Sequence, residues 1–95
     1  MSTKTLKKHR ACAFHAQDGR CYYCGERMWQ HSPAELDLRP RTARQFQCTA
    51  EHLTPRQDGG KDTAANIVAA CLFCNRTRHR RKRGALSPAL HRDLA

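Results

Sequence analysis

Apolar residues in this chain form a few short patterned segments, and each pattern predicts one element. Between residues 4 and 17 they recur at the spacing of one helix face, which carries Leu6, His9, Ala13 and Phe14. This spacing predicts an N-terminal helix within residues 1 to 20, ended by the turn signal Asp18-Gly19. Residues 21 to 25 read Cys-Tyr-Tyr-Cys-Gly, which predicts a tight knuckle that its glycine permits.

Two strands are predicted in the middle of the chain. Residues 45 to 53 alternate between the sides of a half-buried strand, with Phe46, Cys48, Ala50 and His52 on one side and Gln47, Thr49 and Glu51 on the other. The apolar run at 67 to 70 predicts a second strand, and Asp58-Gly59-Gly60 marks a flexible turn between the two. Together these segments predict a hairpin with a long loop.

The C-terminal part of the chain predicts helices. Residues 71 to 83 contain neither Gly nor Pro and predict a helix that ends at Gly84. Ser87-Pro88 is a start signal for a last short helix at 88 to 94.

Residues 26 to 44 have no clear period and are interpreted as an insertion. Within it, Ser32-Pro33 predicts the start of a short helical turn, and Trp29 is interpreted as a packing residue. The insertion also carries three arginines, Arg39, Arg41 and Arg44. They are either solvated or directed at phosphates, and the pattern does not discriminate between the two.

The chain has 95 residues, enough for one domain with a small core. Its large apolar side chains are few and widely spaced, so this core is expected to need a bound structural metal ion for stability. We interpret residues 1 to 95 as a single domain with five parts. These are an N-terminal helix (1 to 20), a knuckle (21 to 25), an insertion (26 to 44), a strand-strand-helix core (45 to 83) and a C-terminal short helix (84 to 95).

Cysteine spacing supplies the metal site. Four of the six cysteines form two Cys-x-x-Cys pairs, Cys21 with Cys24 and Cys71 with Cys74, and four thiolates suit a tetrahedral structural Zn²⁺. The start of the chain is polar and basic and lacks the apolar core of a signal peptide, and no later run approaches a membrane span. We therefore expect a cytoplasmic, intracellular protein with a metal site in place of disulfides. The unpaired Cys12 and Cys48 are interpreted as small buried residues.

Net charge points to a polyanionic partner. The chain carries +10, from 18 Lys and Arg against 8 Asp and Glu. Four thiolates and one Zn²⁺ would lower this to about +8, still strongly basic. A nucleic acid is the leading interpretation, and a solvated basic surface that aids solubility is the alternative.

The order of these residues resembles the motif of the HNH endonucleases. The resemblance rests on residues 50 to 55 (Ala-Glu-His-Leu-Thr-Pro), Gly59-Gly60, 66 to 68 (Asn-Ile-Val) and 71 to 78, which read Cys-x-x-Cys-Asn-x-x-Arg. With the knuckle, it covers about half of the chain. It implies a small α+β fold, the ββα-metal (HNH) finger with a structural zinc, flanked here by short helices.

The resemblance also implies roles for individual residues. His52 would be the general base that takes a proton from water, and Glu51 and Asn75 would hold a catalytic Mg²⁺ or Mn²⁺. Asn66 would tie the hairpin loop together and so orient the base. His79 lies one helical turn after Asn75. It would be a further ligand, widening metal tolerance toward Zn²⁺, Ni²⁺ or Co²⁺, or else a phosphate contact.

The family fold places the last helix against the DNA backbone. In this chain that helix carries Arg76, Arg78, Arg80, Arg81, Lys82 and Arg83. Phosphate contacts of this kind position DNA without reading its sequence.

The function implied is a metal-dependent DNA endonuclease, a hydrolase of phosphodiester bonds. Small members of this family include phage proteins that work beside a packaging terminase, restriction enzymes and mobile-element nucleases, and the residues do not choose among them or define an oligomeric state. The alternative is a zinc-stabilised module that binds nucleic acid without cutting it.

Overall fold

The computed structural model describes residues 3–79 and 87–88, which form a small α+β fold. Its helices and strands, in chain order, are α1 (Thr3–Ala16), α2 (Pro40–Ala43), β1 (Cys48–His52), β2 (Ile67–Cys71) and α3 (Leu72–His79). The order β1, β2, α3 is the predicted strand-strand-helix unit. Among the described residues, no helix is long and apolar enough to cross a membrane.

The two strands form an antiparallel hairpin whose register brings Cys48 opposite Cys71 and His52 opposite Ile67. α1 packs against both strands. At its C-terminal end the amide of Gln17 exchanges two hydrogen bonds with the backbone of Ala69, at 2.9 and 3.0 Å. The first strand is shorter than the predicted 45 to 53, because residues 44–46 form a 3₁₀ turn before it.

The turn signals of the sequence act at the expected places. α1 ends where Asp18 and Gly19 adopt left-handed backbone angles, with φ of 54° and 71°. In the insertion, the Ser32 hydroxyl accepts a hydrogen bond from the backbone of Ala34, at the start of the 3₁₀ turn Pro33–Leu36. The Glu35 carboxylate accepts hydrogen bonds from the backbone amides of Gln30, His31 and Ser32, and the bond from Ser32 completes a capping box. These hydrogen bonds also hold the pKa of Glu35 below its usual value.

The core is built mainly from small side chains. Its buried members are Cys21, Tyr23, Met28, Cys48, Ala69, Ala70, Cys71 and Cys74. Cys48 is buried as expected, and burial raises the pKa of its thiol to about 11, so it stays neutral. Trp29 is half-buried and donates from its indole nitrogen to the carbonyl of Ala43 at 2.7 Å, consistent with packing.

One prediction about the cysteines is wrong. Cys12 is exposed. The helical repeat of α1 places it away from the side that carries Ala13 and Phe14, which pack against the core.

Two helix predictions lie partly or wholly outside the described residues. α3 begins at Leu72 and is described as far as His79, so residues 80 to 83 of the predicted 71 to 83 helix lie beyond it. Of the predicted helix at 88 to 94, only Pro88 is described.

The loop between β1 and β2 turns at Gly59 and Gly60, and the two glycines are needed for different reasons. Gly59 has φ of 88° with open space around it, whereas a Cβ on Gly60 would lie 1.7 Å from the carbonyl oxygen of Thr54. We expect Gly59→Ala to destabilise the fold by about 1 kcal/mol, the typical cost of a left-handed alanine, or roughly 4–8 °C in Tm. Gly60→Ala should lower the Tm further, because backbone must move.

Thermal melts of the two variants by circular dichroism check this ranking. A Gly60→Ala protein as stable as Gly59→Ala would contradict the close approach of the Gly60 and Thr54 backbones.

Candidate metal centres and active site

Four cysteines converge between the knuckle and α3. Cys21 and Cys24 lie in the knuckle, Cys71 ends β2 and Cys74 lies in the first turn of α3. Their sulfur atoms all lie within 4.8 Å of one another, and those of Cys24 and Cys71 are 3.9 Å apart. Tetrahedral Zn²⁺ with bonds of about 2.3 Å holds its sulfurs about 3.8 Å apart. The four cysteines are therefore positioned to bind a metal, and zinc fits them.

The cysteines of this cluster are close enough to shift one another's pKa values. Hydrogen bonds from the thiols of Cys71 and Cys74 hold the pKa of Cys21 well below its usual value. Their contact with the Cys21 sulfur raises the pKa of Cys74, and it raises that of Cys71 to about 12. A divalent cation supplies the charge that four thiolates at this spacing require.

A buried carboxylate lies where β1 meets α3. Glu51 is 2% exposed and is held by three side chains. His79 Nε2 lies 2.9 and 3.2 Å from its two oxygens, Arg78 Nη1 lies 3.1 Å from Oε2, and the Tyr23 hydroxyl donates to Oε2 at 3.4 Å. Burial and the neighbouring carboxylate raise the pKa of Tyr23, so its hydroxyl remains a donor. Such pairing offsets the cost of burying a charge in so small a fold.

The structure corrects the role expected for Arg78. The family fold predicts that it faces DNA, yet it is 1% exposed. Its guanidinium donates to the carbonyls of His52 and Leu53, both at 2.8 Å, and lies over the Tyr23 ring. The reason is helical spacing: Arg78 is one turn after Cys74 on the inward face of α3, a signal already present in the sequence. Arg78 therefore holds the end of β1.

Asn75 and His79 form the next face of α3. The amide nitrogen of Asn75 donates to the Thr49 hydroxyl at 3.0 Å, and that hydroxyl donates to the Ala70 carbonyl at 2.7 Å. Thr49 and Glu51 are two residues apart, so they share one face of β1, directed at α3. The structure thus brings Glu51 and His79 into contact and aligns Asn75 along the same face.

These three residues fit a divalent metal by donor type. A carboxylate, an amide oxygen and an imidazole are ligands of Mg²⁺, Mn²⁺ and borderline metals such as Ni²⁺. In this structure His79 Nε2 and the nearer Glu51 oxygen, 2.9 Å apart, are in direct hydrogen-bond contact.

His52 is paired with a residue that sequence reasoning missed. Its Nε2 lies 2.5 Å from Oδ1 of Asp62, a carboxylate only 6% exposed. Arg56 donates to both oxygens of Asp62, from Nε at 3.1 Å and Nη2 at 2.8 Å. The hydrogen bond from His52, with those from Arg56, lowers the pKa of Asp62, so the carboxylate is ionised at neutral pH. An ionised acceptor requires the proton on Nε2, which leaves Nδ1 of a neutral ring as the basic nitrogen.

The hairpin loop is held by Asn66. Its Oδ1 accepts from the Thr54 amide at 2.8 Å, and its Nδ2 donates to the carbonyls of Thr54 and Lys61 at 3.0 and 2.9 Å. These bonds join the two ends of the loop and place Asp62 near His52 at the end of β1. An acid two residues after Gly-Gly in a returning loop is the signal that would have identified Asp62.

The basic residues of the last helix divide differently from expectation. Arg76 is exposed on α3, whereas Arg78 is buried. The remaining four, Arg80, Arg81, Lys82 and Arg83, lie outside the described residues.

A ββα unit joined to a knuckle through four cysteines, with an acid and a histidine at the end of the first strand, defines the class of zinc-stapled ββα-metal domains. The family model described as HNH endonuclease matches residues 21–81. The chain therefore belongs to the HNH endonuclease family. A comparison with curated proteins finds no match.

Loss of one cluster cysteine should unfold the domain. Cys74→Ser removes one sulfur from the link between the knuckle and α3, and the small core does not replace it. We expect the cooperative thermal transition and the bound zinc to be lost together, measured by circular dichroism and elemental analysis. Cys12→Ser, at an exposed cysteine outside the cluster, is the matched control. If the thermal melt of Cys74→Ser coincides with that of wild type, then zinc binding does not stabilise the fold.

Proposed function

We propose that this protein is a metal-dependent endonuclease that hydrolyses DNA phosphodiester bonds, with His52 as the general base. Membership of the HNH family indicates a nuclease or nucleic-acid-binding role. One observation carries the finer proposal: His52 is held through Nε2 by an ionised, nearly buried Asp62, and the residue before it in β1, Glu51, is paired with His79. A base oriented by an acid, next in the chain to a candidate metal ligand, supports water activation.

The proposed metal site combines residues of β1 and α3. Glu51, Asn75 and His79 would hold Mg²⁺ or Mn²⁺, which when bound would offset charge developing on the phosphate and the leaving 3′-oxygen. Glu51 supplies the negative charge, and Thr49 orients the Asn75 amide through its bond to Nδ2. His79 adds a nitrogen donor, which suits Ni²⁺ or Co²⁺ as well.

His52 performs the proton transfer in this scheme. With Nε2–H donated to Asp62, its Nδ1 is free to take a proton from the attacking water. The imidazolium that forms keeps its bond to the Asp62 carboxylate, which stabilises the positive charge. Arg56 fixes Asp62 from the other side, so the carboxylate does not rotate away.

Arg78 links the backbone of the proposed base, His52, to the proposed metal ligand, Glu51. The same guanidinium contacts the Glu51 carboxylate and the carbonyl of His52, the next residue. A shift of α3 would therefore move both groups together. We assign Arg78 a positioning role in place of the DNA contact expected from its neighbours.

One observation favours the second candidate function, a zinc-stabilised module that binds nucleic acid without cutting it. The Glu51 carboxylate is already satisfied by Arg78, Tyr23 and His79. A buried carboxylate with these partners also suits a purely structural role. Measured cleavage separates the two functions.

The first test is nicking of supercoiled plasmid. Zinc-loaded wild type and His52→Ala are compared at low salt with Mg²⁺, Mn²⁺, Ni²⁺ or no added divalent metal. We expect metal-dependent nicking by wild type, reduced roughly 10²–10⁴-fold in the variant because general-base catalysis is lost. DNA retardation should be equal in both. No cleavage by wild type with any metal, and intact retardation, would point instead to a binding module or to an enzyme that needs a partner protein.

A second test addresses Asp62 as a positioning residue. Asp62→Asn keeps the size of the side chain but removes its charge, so we expect kcat to fall roughly 10–100-fold, the usual effect of losing a residue that orients a functional histidine. KM should be unchanged, because the Asp62 side chain is nearly buried and paired with His52 and Arg56. Asp58→Asn, an exposed acid in the same loop, is the matched control. An increase in KM with unchanged kcat would assign Asp62 to binding or to loop structure.

A further inference from the structure

A second surface lies beside α3, outside the candidate active site. It is an open groove of about 430 Å³ between α3 and the segment that contains α2. Its charged lining consists of Arg41, Arg44 and Arg76, and its apolar lining includes the ring of Phe73. We call it the arginine groove. The sequence left open whether Arg41 and Arg44 are solvated or face phosphate, and the fold brings both to the same groove as Arg76.

The charge of the arginine groove calls for an anionic occupant. No acidic residue lines it. Its three arginines are exposed, and across residues 3–79 and 87–88 none of them forms an ion pair. Three guanidinium groups around one groove repel one another unless an anion lies between them. A phosphodiester backbone supplies such charges at regular spacing.

Phe73 narrows the choice of anion. It is 57% exposed, and the other large apolar side chain exposed in the described part of the chain, Leu38, lies outside the groove. One exposed ring beside the half-buried Leu72, flanked by arginines, is a small apolar patch for a protein interface. It matches the way aromatic side chains and arginines bind unpaired bases, by stacking on the base and contacting its phosphates.

The groove also lies next to the candidate active site. Successive residues of a helix are rotated by about 100°, so Arg76 borders the face of α3 that carries Asn75 and His79. Phe73 and Thr77 lie one step further round. A strand in the groove would therefore continue past Arg76 toward His79, the partner of Glu51.

We propose that the arginine groove binds unpaired nucleotides that flank the duplex presented to the active site. Phe73 stacks on an unpaired base, and Arg41, Arg44 and Arg76 contact its phosphates. The proposal rests on the proposed function for the identity of the polymer, and it adds a preference for junctions between duplex and single strand. Cleavage itself is not needed for this binding.

The test measures binding by fluorescence anisotropy, with zinc-loaded protein and no other added divalent metal, so that DNA is not cut. The probes are a fully paired duplex and the same duplex with a single-stranded extension. We expect wild type to bind the extended duplex more tightly. Phe73→Leu keeps an apolar side chain without a ring and should weaken binding to the extended probe about tenfold, with little change on the paired one.

Two further variants complete the Phe73 series. Phe73→Trp should keep the preference, since stacking is retained. Leu38→Ala removes an exposed apolar side chain outside the groove and should change neither affinity. Because Phe73 and Leu38 are exposed, these variants should fold, which a circular-dichroism spectrum verifies.

The arginines are tested by salt dependence. Arg41→Gln and Arg44→Gln should each weaken binding to the extended probe and reduce the slope of log affinity against log salt by about 1. Arg39→Gln changes an exposed arginine of the same segment outside the groove lining. Its slope should equal that of wild type.

Several outcomes would overturn the proposal. If Phe73→Leu leaves the affinities for both probes unchanged, or lowers both equally, then Phe73 does not stack on unpaired bases. Dissociation of a dimer by Phe73→Leu in sedimentation, with DNA binding intact, would make Phe73 a protein contact. A ring-dependent preference for the extended probe in a protein that never cuts DNA would support the groove and reject only the nuclease.

Discussion

The arrangement of four sulfurs is the constraint on which the rest of this structure depends. The buried core contains alanines and cysteines where larger domains have leucine and isoleucine, and so small a core stabilises a fold only weakly. The cluster joins the knuckle at Cys21 and Cys24 to residues about fifty positions later in the chain. Because Cys71 and Cys74 bracket the start of α3, the same link sets where that helix begins and how it is rotated.

That rotation assigns a different task to each side of one short helix. Cys74 and Arg78 point inward, to the cysteine cluster and to the end of β1. Asn75 and His79 lie along the face of β1 that carries Glu51. Leu72, Phe73 and Arg76 line the arginine groove. A helix of eight residues thus contributes side chains to the cysteine cluster, to the candidate catalytic site and to a candidate nucleic-acid surface.

Buried charges are concentrated around the candidate active site. Among the described residues, Glu51, Asp62 and Arg78 are the buried charged side chains, and each has an ionic or imidazole partner. Buried ion pairs contribute little net stability, because desolvation offsets their attraction. Their value here lies in orientation: Asp62 aims His52, and Arg78 couples the backbone of His52 to Glu51. This agrees with the proposed function, in which the orientation of His52 matters more than stability.

Local patterns were sufficient for much of this protein. Cys-x-x-Cys spacing, alternation along β1 and the turn signals at Gly19 and Ser32 act between near neighbours, and they predicted the metal cluster, the hairpin and the family. Apart from the cysteine cluster and the strand pairing, contacts between distant segments were not predicted in this way. The binding of Arg78 to the carbonyls of His52 and Leu53, the approach of Asp62 to His52 and the meeting of Arg41, Arg44 and Arg76 depend on where a loop returns and how a helix is rotated. These features arise only when separate elements pack, since a side chain's surroundings are then determined by residues far away in the sequence.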